Sequence, residues 1–309
     1  MAGARDKDAL ARLKTVRDVL RYAVSTFGRA GLAFGHGSDN PWDEAVYLVL
    51  STLHLPLAEL NPYLEARLTR GELGEVLDVV ARRAAGVPAA YLTREAWLGD
   101  YRFYVDERVI VPRAFIAEPL SEALSPWITH PAAVRRVRDL CTGSGCLAII
   151  AADVFPEARV DAVDISVEAL AVARENVARY GLLERVDLIH SDLFSGLGRT
   201  RYDLIVCNPP YVNAQAMQAL PIEYRHEPAL ALAGGADGLD LVARIVDEAP
   251  RHLVARSRRP GLLVLEIGQE RAAFETRYPD FAGTWLSTRA GDDQVWLAAR
   301  DELTREHAR

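Results

Sequence analysis

Asn208-Pro209-Pro210-Tyr211 follows directly on the apolar run Leu204-Ile205-Val206-Cys207, so the tetrapeptide sits where a buried strand would emerge at the edge of a sheet. Asn208 offers a side-chain carbonyl, Pro209 a backbone carbonyl with no N–H at its own position, and Tyr211 a flat face. Two acceptors beside an aromatic wall suit a planar group that carries an NH2. A strand ending in a rigid Pro-Pro turn explains the same four residues, and the tetrapeptide alone does not choose.

Upstream, Val137-Arg138-Asp139-Leu140 runs into Cys141-Thr142-Gly143-Ser144-Gly145-Cys146 and then into Leu147-Ala148-Ile149-Ile150-Ala151-Ala152, which reads as a helix. Strand, glycine-rich turn and helix in that order make a cradle for a nucleotide. Small residues let the backbone approach the ligand, and the helix N-terminus supplies unpaired N–H groups. Val160-Asp161-Ala162-Val163-Asp164 reads as the next strand. It ends in an acid about 20 residues beyond the glycines, where a carboxylate can accept both hydroxyls of a ribose. A dinucleotide dehydrogenase uses the same logic, and Gly143-Ser144-Gly145 with Ala148 satisfies its G-x-G-x-x-A form. The later strand ends separate the two readings. After the strand Val186-Asp187-Leu188-Ile189-His190, Asp192 can accept from an adenine amino group while Leu193 and Phe194 wall the ring. Ligand-compatible residues at consecutive strand ends match the rule that open α/β sheets bind at the carboxyl ends of their strands.

With these residues in place the chain resembles the class I S-adenosylmethionine-dependent methyltransferases. The resemblance implies an α/β fold on a seven-stranded Rossmann-like sheet, with S-adenosyl-L-methionine as cofactor. Asp139 to Ile149 looks like the first motif of that family, Asp164 like its ribose acid, Ser191 to Phe194 like its adenine-edge motif, and Asn208 to Tyr211 like the motif of members that methylate planar nitrogens. Carried over residue by residue, it implies cofactor binding by Cys141, Thr142, Gly143, Ser144, Gly145, Asp164, Asp192, Leu193 and Asn208. It implies catalysis by Asn208, Pro209, Pro210 and Tyr211, with no metal. Amino-group DNA methyltransferases and protein glutamine methyltransferases share the last motif, which does not decide between them.

Composition bears on that choice. The 309 residues are 50% hydrophobic, enough for one full α/β core and a smaller second domain. The net charge of −7 argues against a duplex-binding enzyme, which normally carries a basic face to neutralise phosphates. Arg135-Arg136 and Arg256-Ser257-Arg258-Arg259 read as solvated surface near strand ends. Cys141, Cys146 and Cys207 are odd in number and lack zinc-site spacing, so they read as small buried residues in a reducing compartment. The charged N-terminus lacks the apolar segment of a signal peptide, and no apolar run reaches the length of a membrane span. Both points lead to the expectation of a cytoplasmic protein.

The elements that must position these residues begin with a helical region. Leu13, Val16, Val19, Leu20, Ala23 and Phe27 recur at helical spacing. Asn40 is placed to cap a second helix with Pro41 in its first turn, and a third is expected from about Gly71 to Ala85. Ala96 to Gly99, Tyr101 to Val105 and Val109 to Val111 suggest a hairpin turning at Asp106-Glu107-Arg108, followed by a helix from about Ile116 to Trp127. Gly234 to Gly238 reads as a loop and cap before a helix from Leu239 to Glu248. Leu262 to Ile267 reads as a strand, with Trp285-Leu286 and Val295 to Ala299 as a closing antiparallel pair around Gly291 to Asp293. The expected domains are therefore a helical recognition domain over 1–90, a hairpin and linker helix over 91–130, and a catalytic domain over 131–309.

That order of a helical domain, a hairpin ending in Val111-Pro112-Arg113, a methyltransferase sheet and Asn-Pro-Pro-Tyr is similar to the protein N(5)-glutamine methyltransferases. Three segments resemble the branch acting on large-subunit ribosomal protein three: Gly35 to Ala45, Pro88 to Thr93 and Glu223 to Pro228. The resemblance implies that ribosomal protein as the substrate, without direct nucleic-acid binding and without a membrane. Ala114-Phe115 departs from the family pattern of a small polar residue and then proline, so no role is carried over to either. None is assigned to His226. A peptide-chain release factor as substrate, a nucleic-acid amino-group methyltransferase and a cofactor-binding module without catalysis remain the alternatives.

Overall fold

Thr15 starts the first helix by accepting the Asp18 N–H on its hydroxyl while the Asp18 carboxylate accepts the Thr15 N–H, a reciprocal capping box. The computed structural model describes residues 9 to 304 except 10, 36, 37, 196, 197, 199 and 258. His36 and Gly37 of the expected substrate marker, and Arg258 of the arginine cluster, therefore lie outside the described residues. Helix α1 (Val16–Ala30) ends at Gly31 in the left-handed conformation. Helix α2 (Pro41–Thr52) is capped by Asn40, whose Oδ1 accepts the N–H groups of Trp42 and Asp43. Helix α3 (Arg70–Ala84) starts from a second capping box, Thr69 with Glu72. The buried stripes of the three helices, including Leu20, Phe27, Leu48, Val76 and Val80, form one apolar core.

The chain divides into two compact units. One comprises residues up to Ala96 together with Leu220–His226, and the other comprises Trp97–Ala219 with the chain from Glu227 onward. The short returning segment is secured inside the first unit by a buried ion network. Arg83, 1% exposed, donates from Nε to Glu44 at 2.5 Å, from Nη1 to Glu223 at 3.1 Å, and from Nη2 to the Ala33 carbonyl at 3.0 Å. The Ala33 N–H completes the ring by donating to Glu223 at 3.0 Å. Two of the three marker segments thus supply the two carboxylates of one arginine.

After the short helix α4 (Ala89–Thr93), strands β1 (Glu95–Leu98) and β2 (Tyr101–Tyr104) pair in a two-stranded sheet. The turn falls at Gly99-Asp100, where Gly99 takes the positive φ of a tight hairpin, and not at Asp106 to Arg108 as expected. Asp106 instead folds onto its own backbone, accepting the Arg108 N–H at 3.1 Å and its guanidinium at 2.8 and 2.6 Å. Residues 109–111 consequently form no strand. The helix expected to reach Trp127 is the short α5 (Ala117–Ser121), stopped by left-handed backbone at Ala123 and Leu124.

The second unit is built on β3 (Arg136–Leu140), α6 (Cys146–Val154), β4 (Arg159–Asp164), α7 (Val167–Arg179), β5 (Val186–His190), β6 (Leu204–Cys207), α8 (Ala214–Ala219), α9 (Asp240–His252), β7 (Leu262–Glu266), α10 (Arg271–Arg277), β8 (Thr284–Thr288), β9 (Gly291–Ala299) and α11 (Arg300–Leu303). Its seven-stranded sheet has the order β5-β4-β3-β6-β7-β9-β8. The first five strands in that order are parallel, and β9 runs antiparallel to both β7 and β8. Sequence runs such as Leu204 to Cys207 and Leu262 to Leu265 are apolar at every position because both faces of a parallel sheet are covered. After β5 the chain crosses back over the sheet to lay β6 beside β3, bringing Leu140 opposite Cys207. A crevice opens where the strand order reverses in this way.

Arg135 is paired with Glu157 and Arg256 with Asp203 at the surface, and Cys141, Cys146 and Cys207 carry free thiols. Among the described residues no helix is long and apolar enough to cross a membrane. Replacing Arg83 by Met would leave Glu44 and Glu223 buried without their cation. The variant is expected to lose about 3–5 kcal/mol of stability, measured by urea unfolding followed by circular dichroism.

Candidate functional site

Strand β3 is followed by Cys141, a non-glycine residue in the left-handed conformation, and the chain then turns tightly through Thr142 to Gly145. Gly143 and Gly145 both have positive φ. At Gly145 a Cβ would also lie 3.2 Å from the Ala173 Cβ on α7, so the turn packs where a larger residue does not fit. Asp139 holds the turn from below. Its Oδ2 accepts the Thr142 hydroxyl at 2.5 Å and the Ala148 N–H at 3.0 Å. Asp164 at the end of β4 holds it from the side, accepting the Gly143 N–H at 2.9 Å on one oxygen and the Ser166 N–H at 2.9 Å on the other.

A cavity opens above these strand ends. Cys141 and Gly143 line it from β3, Asp164 and Ile165 from β4, Asp192 and Leu193 from β5, and Asn208 and Pro210 from β6. The four strand ends singled out in the sequence are therefore brought to one concavity. Thr142, Ser144 and Gly145 stand behind its wall, with Thr142 and Ser144 almost fully buried, and Pro209 and Tyr211 are not part of the lining. Phe194 does not wall the cavity as expected: it is buried and stacks on His252 with ring centroids 4.5 Å apart. Leu193, in the left-handed conformation, turns the chain so that only the first of the two apolar side chains faces the cavity. Ile165 supplies a second apolar wall while remaining half exposed. Its signal in the sequence was an apolar residue placed directly after a strand-end acid.

Residues far along the chain complete the lining. Arg108 to Ile110, freed from any strand, contribute one side, and Pro228, Leu230, Leu241 and Arg244 contribute another. Arg244 reaches Asp192 at 2.9 Å, so the acid expected to accept an amino group already has a guanidinium on one oxygen. Each carboxylate oxygen keeps a further lone pair for a ligand.

Burial dominates the electrostatics. It pushes the Asp139 carboxyl up to about 7, and the Oδ1 of that group is buried with no hydrogen-bond partner among the described residues. Asp164 is also raised by burial, against the pull of the Ser166 and Gly143 N–H groups. Burial pushes Cys146 to about 12 and Cys207 well above the ordinary thiol range, so neither is a nucleophile. The arrangement can hold a nucleoside with a cationic substituent. Asp164 and Asp192 line the cavity with carboxylate acceptors, and Asn208 lies at the next strand end.

The strand end after Asn208 is tightly held. The Tyr211 hydroxyl donates to Glu266 at 3.1 Å, and Val212 exchanges backbone hydrogen bonds with Leu232 and Gly234 at 2.9 Å. The glycines at 234 and 238, read from sequence as a loop and cap, have no room for a side chain because the Tyr211 backbone lies against both.

The family model described as Methyltransferase small domain matches residues 119–223. The chain is 58% identical over 292 residues to the ribosomal protein uL3 glutamine methyltransferase of Bordetella pertussis, which takes in 94% of this chain and 97% of that one. The protein of the same name from Neisseria gonorrhoeae is 55% identical over 96% of this chain and 98% of its own length. Among solved structures, the hMettl16 catalytic domain in complex with MAT2A 3'UTR hairpin 6 aligns with a TM-score of 0.51. That alignment covers 71% of this chain and 80% of the other at 17% identity, a likeness of fold alone.

The raised carboxyl at Asp139 has a consequence for stability. A group whose folded pKa lies above its unfolded value stabilises the protein fully below the unfolded pKa, near 4 for a carboxyl, and loses that contribution as pH rises through the folded value. Stability without ligand is therefore expected to fall by on the order of a few kcal/mol between about pH 4 and 7, with Asp139 a main contributor. Asp139→Asn, which keeps one acceptor, should flatten that slope when thermal unfolding is followed across the range.

Proposed function

The chain belongs to the family of ribosomal protein uL3 glutamine methyltransferases, and we propose that it moves a methyl group from S-adenosyl-L-methionine to the side-chain amide nitrogen of a glutamine in ribosomal protein uL3. The observation that carries this reading is the 58% identity over 94% of the chain to a relative of that name. The site supports it. A bare glycine backbone at Gly143 admits a nucleoside, and Asp164 retains lone pairs for the ribose hydroxyls. Asp192 and the walls Ile165 and Leu193 suit an adenine. Cys141, Thr142 and Ser144 serve by shaping the turn.

The bound cofactor supplies an electrophilic methyl group on a sulfonium. An amide nitrogen is a poor nucleophile because its lone pair is delocalised into the carbonyl, so the protein must contribute geometry. The Asn208 side-chain oxygen and the Pro209 carbonyl each accept one N–H of the glutamine amide, and Pro210 keeps the strand end rigid. Held this way, the nitrogen presents its developing lone pair to the methyl. Placement of this kind contributes on the order of 7 kcal/mol. Tyr211 lies against the amide plane. The same two acceptors stabilise positive charge as it builds on the nitrogen, and the methylated amide then releases its surplus proton to water.

An acidic chain suits a basic protein substrate, and free cysteines with a ribosomal protein as substrate fit a cytoplasmic location. Labelled S-adenosylmethionine offered with purified uL3, a release factor and duplex DNA in parallel is expected to mark a glutamine of uL3 alone, located by peptide mass mapping. Label on the release factor would keep the chemistry and overturn the substrate, and label on DNA alone would overturn both. Asn208→Ala is expected to keep cofactor affinity within about threefold in calorimetry while kcat falls by roughly 10²–10³.

A further inference from the structure

Tyr211 is closely approached by three glycines. A Cβ at Gly234 would lie 2.6 Å from its Cα, one at Gly238 2.4 Å from its carbonyl oxygen, and one at Gly268 2.4 Å from its ring. Three glycines from two loops therefore close around one aromatic residue, leaving the phenol oxygen as the remaining handle. That oxygen donates to Glu266 Oε1 at 3.1 Å.

Glu266 ends β7, the strand beside β6, and is fully buried. Its other oxygen accepts the Ile116 N–H at 3.2 Å. Its hydrogen-bond partners are thus a hydroxyl and backbone N–H groups, and Arg113 acts on it only through its charge. Burying an ionisable carboxyl on such terms is costly. The four residues before it in β7, Leu262 to Leu265, are all apolar, as the packing of the sheet requires. A purely structural need at this position would be met by another apolar side chain.

We propose that Glu266 is a positioning residue for methyl transfer: by holding the Tyr211 hydroxyl it fixes the tilt of the ring against which the substrate amide lies, and so acts on turnover rather than on binding. The inference rests on the glutamine amide as the group that meets Tyr211. A carboxylate with two oxygens is suited to the task, because one can be anchored on the Ile116 backbone while the other aims the phenol. A misplacement of about 1 Å at a reacting group is enough to lower rates severely.

The test is a double-mutant cycle on kcat with uL3 as substrate. Glu266→Ala is expected to lower kcat about 10-fold, with the KM for uL3 and the affinity for S-adenosylmethionine changed less than about threefold. Glu266→Gln, which can still bond both partners, should recover to within about threefold of wild type. In a Tyr211→Phe background, which lacks only the hydroxyl, Glu266→Ala should cause no further loss. Wild-type kcat in folded Glu266→Ala, losses that multiply in the double variant, or a Gln variant as impaired as Ala would each overturn the proposal. Should Glu266→Ala fail to fold, Tyr211→Phe alone decides, through an expected loss of about 10-fold against wild-type turnover. If wild-type enzyme marks no glutamine of uL3, the substrate reading fails separately. The ring position of Tyr211 in crystals of wild type and Glu266→Ala then judges the positioning: a displaced ring supports it, and an unmoved ring overturns it.

Discussion

Leu140 lies opposite Cys207 across two parallel strands, and the rest of the site depends on that register. Each strand is followed at once by its own chemistry: the glycine turn after β3 and Asn208 after β6. A slip of one residue would turn every side chain of the strand to the other face. The pairing is enforced by burial on both faces of the sheet, so the apolar core sets the separation between the glycine turn and Asn208. Asp139 and Glu266 then exploit the same sheet from below, each a buried carboxyl at or near the end of a central strand, each bonded to a loop that forms part of the site.

Some of the unfavourable features of the fold fall at the site. Cys141 and Leu193 both adopt left-handed backbone, and both line the cavity. Asp139 leaves an acceptor unmatched in the interior. Each of these is of the kind that costs roughly 1–3 kcal/mol, and they persist because the surrounding sheet over-determines them. In the helical unit the corresponding feature is Arg83 with its two carboxylates, where the charges are at least paired.

Much of this was legible from local pattern. Apolar runs marked the central strands, Asn40 marked a helix start, and glycines with a following acid marked the turn at the cavity, because each signal is carried within a few residues. What escaped were features made by residues distant in sequence. Arg244 and Glu266 are defined by what folding places beside them, and nothing in their own neighbourhood records it. Phe194 was misassigned because alternation along a chain does not reveal which side of a left-handed turn a side chain takes. The hairpin was displaced because Gly99-Asp100 and Asp106 to Arg108 are both good turn sequences, and only Gly99 supplies the backbone that closes a two-stranded ribbon. The Gly234 to Gly238 loop looked like a helix cap because its close approach to Tyr211 is a tertiary fact.

Leu220–His226 is counted with the helical unit although most of the catalytic sheet precedes it in the chain. During synthesis the three helices emerge early, with Arg83 holding Glu44 alone. Glu223 reaches them only after β3 to β6 have been made. The order in which the ribosome delivers the chain is thus not the order in which the units can be finished. The first domain to appear is among the last to be completed, and a nascent chain halted before residue 223 carries a helical unit whose buried arginine is still waiting for its second carboxylate.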